Sequence, residues 1–280
     1  TAQVQTTSPP VMNAVQDITQ CHNQSVTVPN FSSSSGSATY TWTNSNTTIG
    51  LAGSGSGNIG TFTGINNGAS PVTATITVTP SIPGCSGNPI TFTITINPLP
   101  TPTISGAGTY CSGQPINVLT GNPSTGGQLN WYSNAQLTNL IGAGNTHQPT
   151  NTIGSTTYYL TETIGTCVST PVSAVVTVNP LPSIDAGTDQ TNCEGQLITL
   201  SGTGGTSYAW DNGVVNGVPF AQNQGTVVYT VVGTDGNGCQ NSDQVTVTVT
   251  SNPVPSFSVN NSSGCSPLNV TLTNTTAFPN

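Results

Sequence analysis

The run Thr73-Ala74-Thr75-Ile76-Thr77-Val78-Thr79 decides the fold of this chain. Threonine alternates with an apolar residue, and a period of two puts Ala74, Ile76 and Val78 on one face of an extended strand and the threonines on the other. The alternation returns in Ile90-Thr91-Phe92-Thr93-Ile94-Thr95-Ile96, in Ala174-Val175-Val176-Thr177-Val178 and in Val245-Thr246-Val247-Thr248-Val249. Half-buried antiparallel strands have this signature. No segment carries apolar residues at helical spacing, and no apolar run approaches the ~20 residues that span a bilayer as a helix. The expectation is an all-β chain without membrane insertion.

Charge excludes whole classes of function. The 280 residues contain no Lys or Arg and eight Asp or Glu. Nucleic-acid binding runs on basic contacts to phosphates, so it is excluded as a function class. Docking on anionic lipid fails for the same reason. Trypsin finds no site, and a surface with these properties reads as inert in an extracellular, cell-surface setting.

Internal repetition organises the rest. Proline joints recur at Asn97-Pro98-Leu99-Pro100, Asn179-Pro180-Leu181-Pro182 and Asn252-Pro253-Val254-Pro255. Between joints the order is fixed: a first cysteine (Cys21, Cys111, Cys193), a tryptophan strand around Trp42, Trp131 or Trp210, a Thr-rich strand, a second cysteine (Cys85, Cys167, Cys239) and a last strand. The expected organisation is 1–10, the last strand (Ala2 to Thr6) and joint of a preceding repeat; repeats at 11–100, 101–182 and 183–255; and 256–280, the start of a further repeat containing Cys265. Several short strands per repeat separated by turn-rich loops fit a β-sandwich, with each tryptophan in its core. Pro-rich joints act as semi-rigid spacers, so beads on a string are expected.

These residues resemble a known family. Tyr40-Thr41-Trp42-Thr43-Asn44-Ser45-Asn46, with Gly55-Ser56-Gly57-Asn58-Ile59 and Pro71 to Pro80, is similar to the PKD-like repeats of giant Bacteroidota cell-surface proteins. Asp185-Ala186-Gly187-Thr188-Asp189-Gln190, with Cys193 and Gly236-Asn237-Gly238-Cys239, resembles an Ig/PKD-type member of such arrays, and Gly264-Cys265-Ser266-Pro267-Leu268 resembles the opening of a PKD domain. The resemblance implies tandem Ig-like/PKD-like β-sandwiches in secreted surface proteins, among them SprB-type gliding adhesins exported by the type IX pathway.

Seven cysteines at regular positions beside only two histidines argue for disulfides in an oxidising compartment and against zinc. Two pairings stay open. In an Ig-like order the first cysteine lies at one end of the sandwich and the second at the other, whereas bonded cysteines need Cα atoms within about 7 Å. That favours inter-domain bonds, Cys21 with Cys167 and Cys111 with Cys239. The intra-domain alternative pairs Cys21 with Cys85, Cys111 with Cys167 and Cys193 with Cys239, and requires a displaced first strand.

Catalytic signals are absent. His22 and His147 fall in different repeats and read as surface-loop residues, and Gly53-Ser54-Gly55-Ser56-Gly57 has no lysine and precedes no helix, so it is no phosphate loop. No cofactor is expected. Carboxylates gather in the third repeat, where Asp185, Asp189 and Asp235 are the least implausible Ca²⁺ ligands, although their spacing matches no calcium loop. Outward threonines read as uncharged solvated strand faces, and with few charges opposing close approach they suit lateral self-association into a fibre. The function expected is a non-enzymatic structural segment of an extracellular fibre or adhesin stalk, mechanically projecting adhesive elements and serving surface attachment or gliding motility. Its partners are neighbouring repeats of the same long chain. The alternative is a glycan- or surface-binding module acting through loops such as Ser32 to Ser37 or Ala135 to Thr146.

Overall fold

The computed structural model describes residues 7–277, so the strand expected over Ala2 to Thr6 lies outside the described residues. Internal contacts divide the chain into two compact units. One comprises Thr1–Gly108, Ile116–Thr150 and Thr156–Val176; the other comprises Thr109–Pro115, Asn151–Ser155 and Thr177–Asn280.

The first unit opens with β1 (Ile18–Cys21), β2 (Ser25–Val26), β3 (Thr39–Asn44), β4 (Ser54–Ser56), β5 (Phe62–Thr63), β6 (Val72–Ile82), β7 (Cys85–Ser86) and β8 (Ile90–Asn97). One sheet has the order β1-β8-β6-β3-β4, with β7 paired to β6, and β2 pairs with β5 in a second. The alternating runs form the centre of the large sheet, β6 and β8, paired antiparallel from Val72↔Ile96 to Val78↔Ile90. Their inward residues Ala74, Ile76, Val78, Ile94 and Ile96 are fully buried and meet Val26 of β2, Ile49 and Trp42 in one core. Each buried isoleucine or valine side chain among them contributes about 1.5–3 kcal/mol by leaving water. On the outer face the Thr73 and Thr95 hydroxyls, 2.9 Å apart, satisfy each other. Gly55 must lack a side chain, because a Cβ there would lie 2.2 Å from Cζ2 of Trp42. A 3₁₀ turn, Thr47–Ile49, capped by the Asn46 side chain, drops Ile49 into the core.

Next come β9 (Thr103–Ser105), β10 (Gly108–Cys111), β11 (Leu119–Asn122), β12 (Gln128–Tyr132), β13 (Leu140–Ala143), β14 (Thr146–His147), β15 (Gly154–Ile164), β16 (Cys167–Val168) and β17 (Val172–Asn179). They form a sheet of order β10-β17-β15-β12-β13, with β16 on β15, and a smaller sheet β14-β11-β9. Thr109–Pro115 and the chain from Thr177 onward count with the second unit. Trp131, Leu119 and Leu160 are fully buried, and the Trp131 indole N–H donates to the Gly144 carbonyl at 2.9 Å. Glu162 is also fully buried, in a chain with no lysine or arginine to pair with it. Its Oε1 accepts the Ser124 backbone N–H at 2.6 Å, which offsets part of the desolvation cost.

The second unit contains β18 (Gln190–Cys193), β19 (Ser207–Trp210), β20 (Gly225–Thr234) and β21 (Gln240–Thr250), hydrogen-bonded in the order β18-β21-β20-β19. Its second layer is held by the bridges Asp185↔Thr203 and Ile198↔Phe220. Ile198, Leu200, Trp210, Val231, Val245 and Val247 share the core. Beyond it β22 (Phe257–Val259) pairs with β23 (Leu272–Asn274), and their side chains are exposed. In the first and third large sheets the first strand runs parallel to the last one, β1 on β8 and β18 on β21, while the other ladders are antiparallel. Two-layer all-β sandwiches with this strand order are immunoglobulin-like, and they follow one another along the chain.

Candidate functional site: the stapled joint

A four-residue turn occurs three times, as Cys21-His22-Asn23-Gln24, Cys111-Ser112-Gly113-Gln114 and Cys193-Glu194-Gly195-Gln196. Each cysteine ends the first strand of its sheet, β1, β10 or β18. The following residue donates its N–H to the carbonyl of Asn97, Asn179 or Thr250, at 2.9, 2.8 and 2.9 Å. The glutamine N–H returns to the cysteine carbonyl at 3.1, 3.0 and 3.1 Å. The third position is left-handed, with φ of 64° at Asn23, 80° at Gly113 and 87° at Gly195, which is why only Asn and Gly appear there. Sequence reasoning singled out the cysteines but not this turn, although the recurrence of Cys-x-Asn/Gly-Gln was the available signal.

Aspartates lock the incoming strand to the last one. Asp17, just before β1, accepts the Thr93 N–H at 2.6 Å, and Asp189, just before β18, accepts the Thr246 N–H at 2.7 Å. That backbone donor holds the Asp17 carboxyl below the ordinary 3.8. The Asp243 carboxyl is held low in the same manner, first by the Ala186 N–H and then by that of Gln244.

The second-type cysteines lie on hairpins at the opposite end of their sheets. Cys85 pairs with Ile82, and Cys167 with Ile164. Cys239 follows a turn in which its carbonyl accepts the Asp235 N–H at 2.9 Å. The structure bonds Cys21 to Cys167 and Cys111 to Cys239, with Cα–Cα distances of 5.5 Å in both; Cys85, Cys193 and Cys265 are free.

The intra-domain alternative does not form, for a geometric reason. Cys21 is in register with Asn97, at the Val72 end of β6, whereas Cys85 lies beyond its Ile82 end. β6 has 11 residues, so the two are separated by about 33 Å at ~3.3 Å per residue. Cys193, in register with Thr250, and Cys239, just before Gln240, are held apart by β21, also 11 residues long. The first strand is not displaced from the sheet; it pairs parallel with the last.

Around the Cys21–Cys167 bond the chain is closely ordered. Cys21 is 4% and Cys167 2% exposed. The Asn23 N–H donates to the Gly64 carbonyl and the Gly64 N–H to the Gln24 carbonyl. A Cβ at Gly64 would lie 2.7 Å from Ile96 Cδ1, so the turn can approach the core this closely only with glycine there. Buried Asn66 organises the adjoining loop. Its Nδ2 donates to the Ile96 and Ser70 carbonyls, its Oδ1 accepts from the Gly68 N–H, and its own N–H donates to His22 Nδ1 at 2.9 Å. Beside this loop lies a cleft of about 550 Å³, walled by Asn67, Pro71, the Pro98-Leu99-Pro100 joint, Ile164 and Cys167.

His147 is not the surface-loop residue its neighbours in sequence suggest. It is in β14, half-buried, with its ring 5.7 Å from that of Trp131 and 5.0 Å from that of Tyr158. Burial lowers its pKa from 6.5. A histidine held neutral in the fold binds its proton more readily when unfolded, so stability is intact above about pH 6.5 and falls as the pH drops below it. The melting temperature is therefore expected to decline between pH 7.5 and pH 5.5, and His147→Phe to flatten that decline. The aspartates act in a separate window: their stabilisation is lost only as the pH falls below 3.8.

The aspartates weighed as calcium ligands are not brought together. Asp185 Oδ1 accepts the Gly187 N–H, Asp189 that of Thr246, and Asp235 those of Asn237 and Cys239. Among the described residues no group of three or more His, Cys, Asp or Glu gathers around a common point. Trp42, Trp131 and Trp210, at 8%, 0% and 9% exposure, are core residues. The stretch from Ala135 to Thr146 is less a loop than a hairpin: it contains β13, and the Asn134 side chain closes its turn through Thr138 and Asn139. Among the described residues no helix is long and apolar enough to cross a membrane.

The sandwiches and their disulfides define a protein of immunoglobulin-like repeats. Residues 100–180 match the family model described as Ig-like domain CHU_C associated. No curated protein matches the chain. Among solved structures it is similar to the I-band fragment I67–I69 from titin, at 8% identity and TM-score 0.44, covering 88% of this chain and 100% of that one. It is also similar to the N-terminal eight Ig domains of Down Syndrome Cell Adhesion Molecule, at 11% identity and TM-score 0.48, covering 87% of this chain and spanning 37% of that one. The insect immune protein hemolin matches at 12% identity and TM-score 0.31, over 89% of this chain and 78% of its own.

Proposed function

We propose that this chain is a non-enzymatic structural segment of an extracellular fibre or adhesin stalk on a cell surface, of the kind that projects adhesive elements for attachment or gliding. The repeats that compose it are 11–100, 101–182 and 183–255, and its partners are neighbouring repeats, with lateral association through uncharged threonine faces. One observation carries the reading: the disulfides Cys21–Cys167 and Cys111–Cys239 interleave along the sequence. Each bond runs from the first strand of one sheet to a hairpin of the next sandwich. Such bonds restrict swinging at a joint that a proline spacer alone leaves semi-rigid, and each adds about 2–4 kcal/mol by constraining the unfolded chain.

The test is a distance distribution across the first joint, measured by single-molecule energy transfer between dyes on non-cysteine handles, one in β3 and one in β12. A narrow distribution in the oxidised chain that broadens in Cys21→Ser/Cys167→Ser supports a stiffened stalk; equal widths sink it. The cleft of about 550 Å³ beside Cys167 favours a second reading, a glycan-binding module. Saturable binding of an oligosaccharide to the oxidised chain, abolished by Leu99→Glu, would move the assignment there.

A further inference from the structure

The tryptophan strands β3, β12 and β19 hold equivalent places in their sheets, but the edge beyond them differs. β4 covers β3 and β13 covers β12, whereas β19 ends its sheet, and among the described residues no strand pairs with its outer side. The two covers share a pattern. Trp42 lies opposite Gly55, and Trp131 lies opposite Gly142. Two residues further on, the Gly57 N–H donates to the Tyr40 carbonyl at 2.8 Å and the Gly144 N–H to the Leu129 carbonyl at 2.9 Å. Each cover is therefore an uncharged antiparallel strand carrying Gly-small-Gly, as Gly55-Ser56-Gly57 or Gly142-Ala143-Gly144. In the first sandwich a Cβ opposite the tryptophan, on Gly55, would collide with the indole.

β19 presents the same edge uncovered. The Asp211 N–H donates to the Thr230 carbonyl at 3.1 Å, so Ala209 and Asp211 turn their backbone groups toward β20 while Tyr208 and Trp210 turn theirs outward. Ser207 and Ala209 are small and exposed, so no bulky side chain shields the edge. Asp211, the acid that follows the strand, accepts the Thr230 N–H on the β20 side. The loop after β19 supplies no cover of its own. Asp211 to Ala221 contains no Gly-small-Gly, and its Gly217 N–H donates to the Leu200 carbonyl in the other layer. A row of outward N–H and C=O groups without lysine, proline or a bulge to guard it is a template for another strand.

We propose that the β19 edge binds, by antiparallel strand addition, an extended uncharged segment of another protein that carries Gly-small-Gly. Its first glycine lies opposite Trp210, and its second donates to the Tyr208 carbonyl, as Gly142 and Gly144 do beside Trp131 and Leu129. The proposal rests on the covers of the two sibling edges and not on the stalk reading. A second copy of β19 fits poorly, because Ser207-Tyr208-Ala209-Trp210 has no glycine to set opposite Trp210.

The test titrates the peptide Asn139-Leu140-Ile141-Gly142-Ala143-Gly144-Asn145, the cover of β12, into the isotope-labelled full chain with both disulfides intact, followed by nuclear magnetic resonance. The Tyr208 and Trp210 amide signals should shift saturably, and their hydrogen exchange should slow about tenfold when the free peptide is at ten times its dissociation constant. The amides of Trp42 and Trp131, whose edges are already covered, should not move. Peptide methylated on the Gly142 nitrogen should lose binding, because that N–H faces Trp210. Peptide methylated on the Ile141 nitrogen, which faces away, should bind as before. Absence of saturable shifts at Tyr208 and Trp210, equal binding of the Gly142-methylated peptide, or equal shifts at Trp42 and Trp131 would each overturn the proposal. Shifts at Tyr208 and Trp210 that grow with chain concentration alone would show β19 pairing with a second copy, and would overturn the assignment of the partner. Stiffness across the first joint is read by the energy-transfer experiment, so failure of the stalk reading is visible separately.

Discussion

Stretched from its two ends, the oxidised chain is expected to lengthen far less than the reduced one. With both disulfides open, the polypeptide from Cys21 to Cys239 extends to about 760 Å at ~3.5 Å per residue. With both closed, three chain segments run in parallel between the two bonds, namely 21–111, 111–167 and 167–239, and the shortest becomes taut first. That segment, 111–167, limits the extension to about 200 Å. Single-molecule force spectroscopy with and without reductant reads the difference of roughly 560 Å directly. Equal extensions would mean that the bonds do not form in the folded chain. Intra-domain bonds would lock each repeat separately and leave the joints extensible, whereas interleaved bonds carry tension past a sandwich even after it unfolds.

Trp131→Ala is expected to cost about 3–5 kcal/mol, the range for removing a fully buried tryptophan. With Leu129 and Leu160 the indole covers Gly121; its removal takes the indole donor from the Gly144 carbonyl and the stacked ring from His147. Urea titration followed by circular dichroism should show the loss. The same variant should weaken the fall in stability below pH 6.5, because His147 becomes better solvated without the indole. Val175→Thr, at a 49% exposed position on the outer face of β17, is the control and should change stability by less than about 0.5 kcal/mol. A Trp131→Ala cost as small as that of the control would show that the core does not depend on this residue.

The strands were legible because period-two patterning is local. Val72–Ile82 and Ile90–Asn97 are where the Thr/Ile/Val alternation places them, and the three tryptophans mark the strands that cross each core. His147 reads as a loop residue because its neighbours in sequence, Thr146 and Gln148, are those of a loop, while the rings that pack on it, Trp131 and Tyr158, are distant in sequence. The burial of Glu162 is not legible in the sequence, because nothing in Thr161-Glu162-Thr163 distinguishes a buried acid from a solvated one. Only the placement of Ser124 beside it shows how the burial is tolerated. The calcium candidates Asp185, Asp189 and Asp235 stand out by composition alone, and backbone N–H groups near each aspartate take up its carboxyl instead.

The sequence alone determined the all-β class, the repeated order of elements and the absence of lysine and arginine, because these depend on residue type and short-range spacing. It narrowed the cysteines to two types without deciding which bonds form. That choice required the tertiary structure, since it depends on which end of a strand each sulfur occupies. An 11-residue strand holds the two cysteines of one sandwich apart, and the bonds instead reach from a turn in one sandwich to a hairpin in the next.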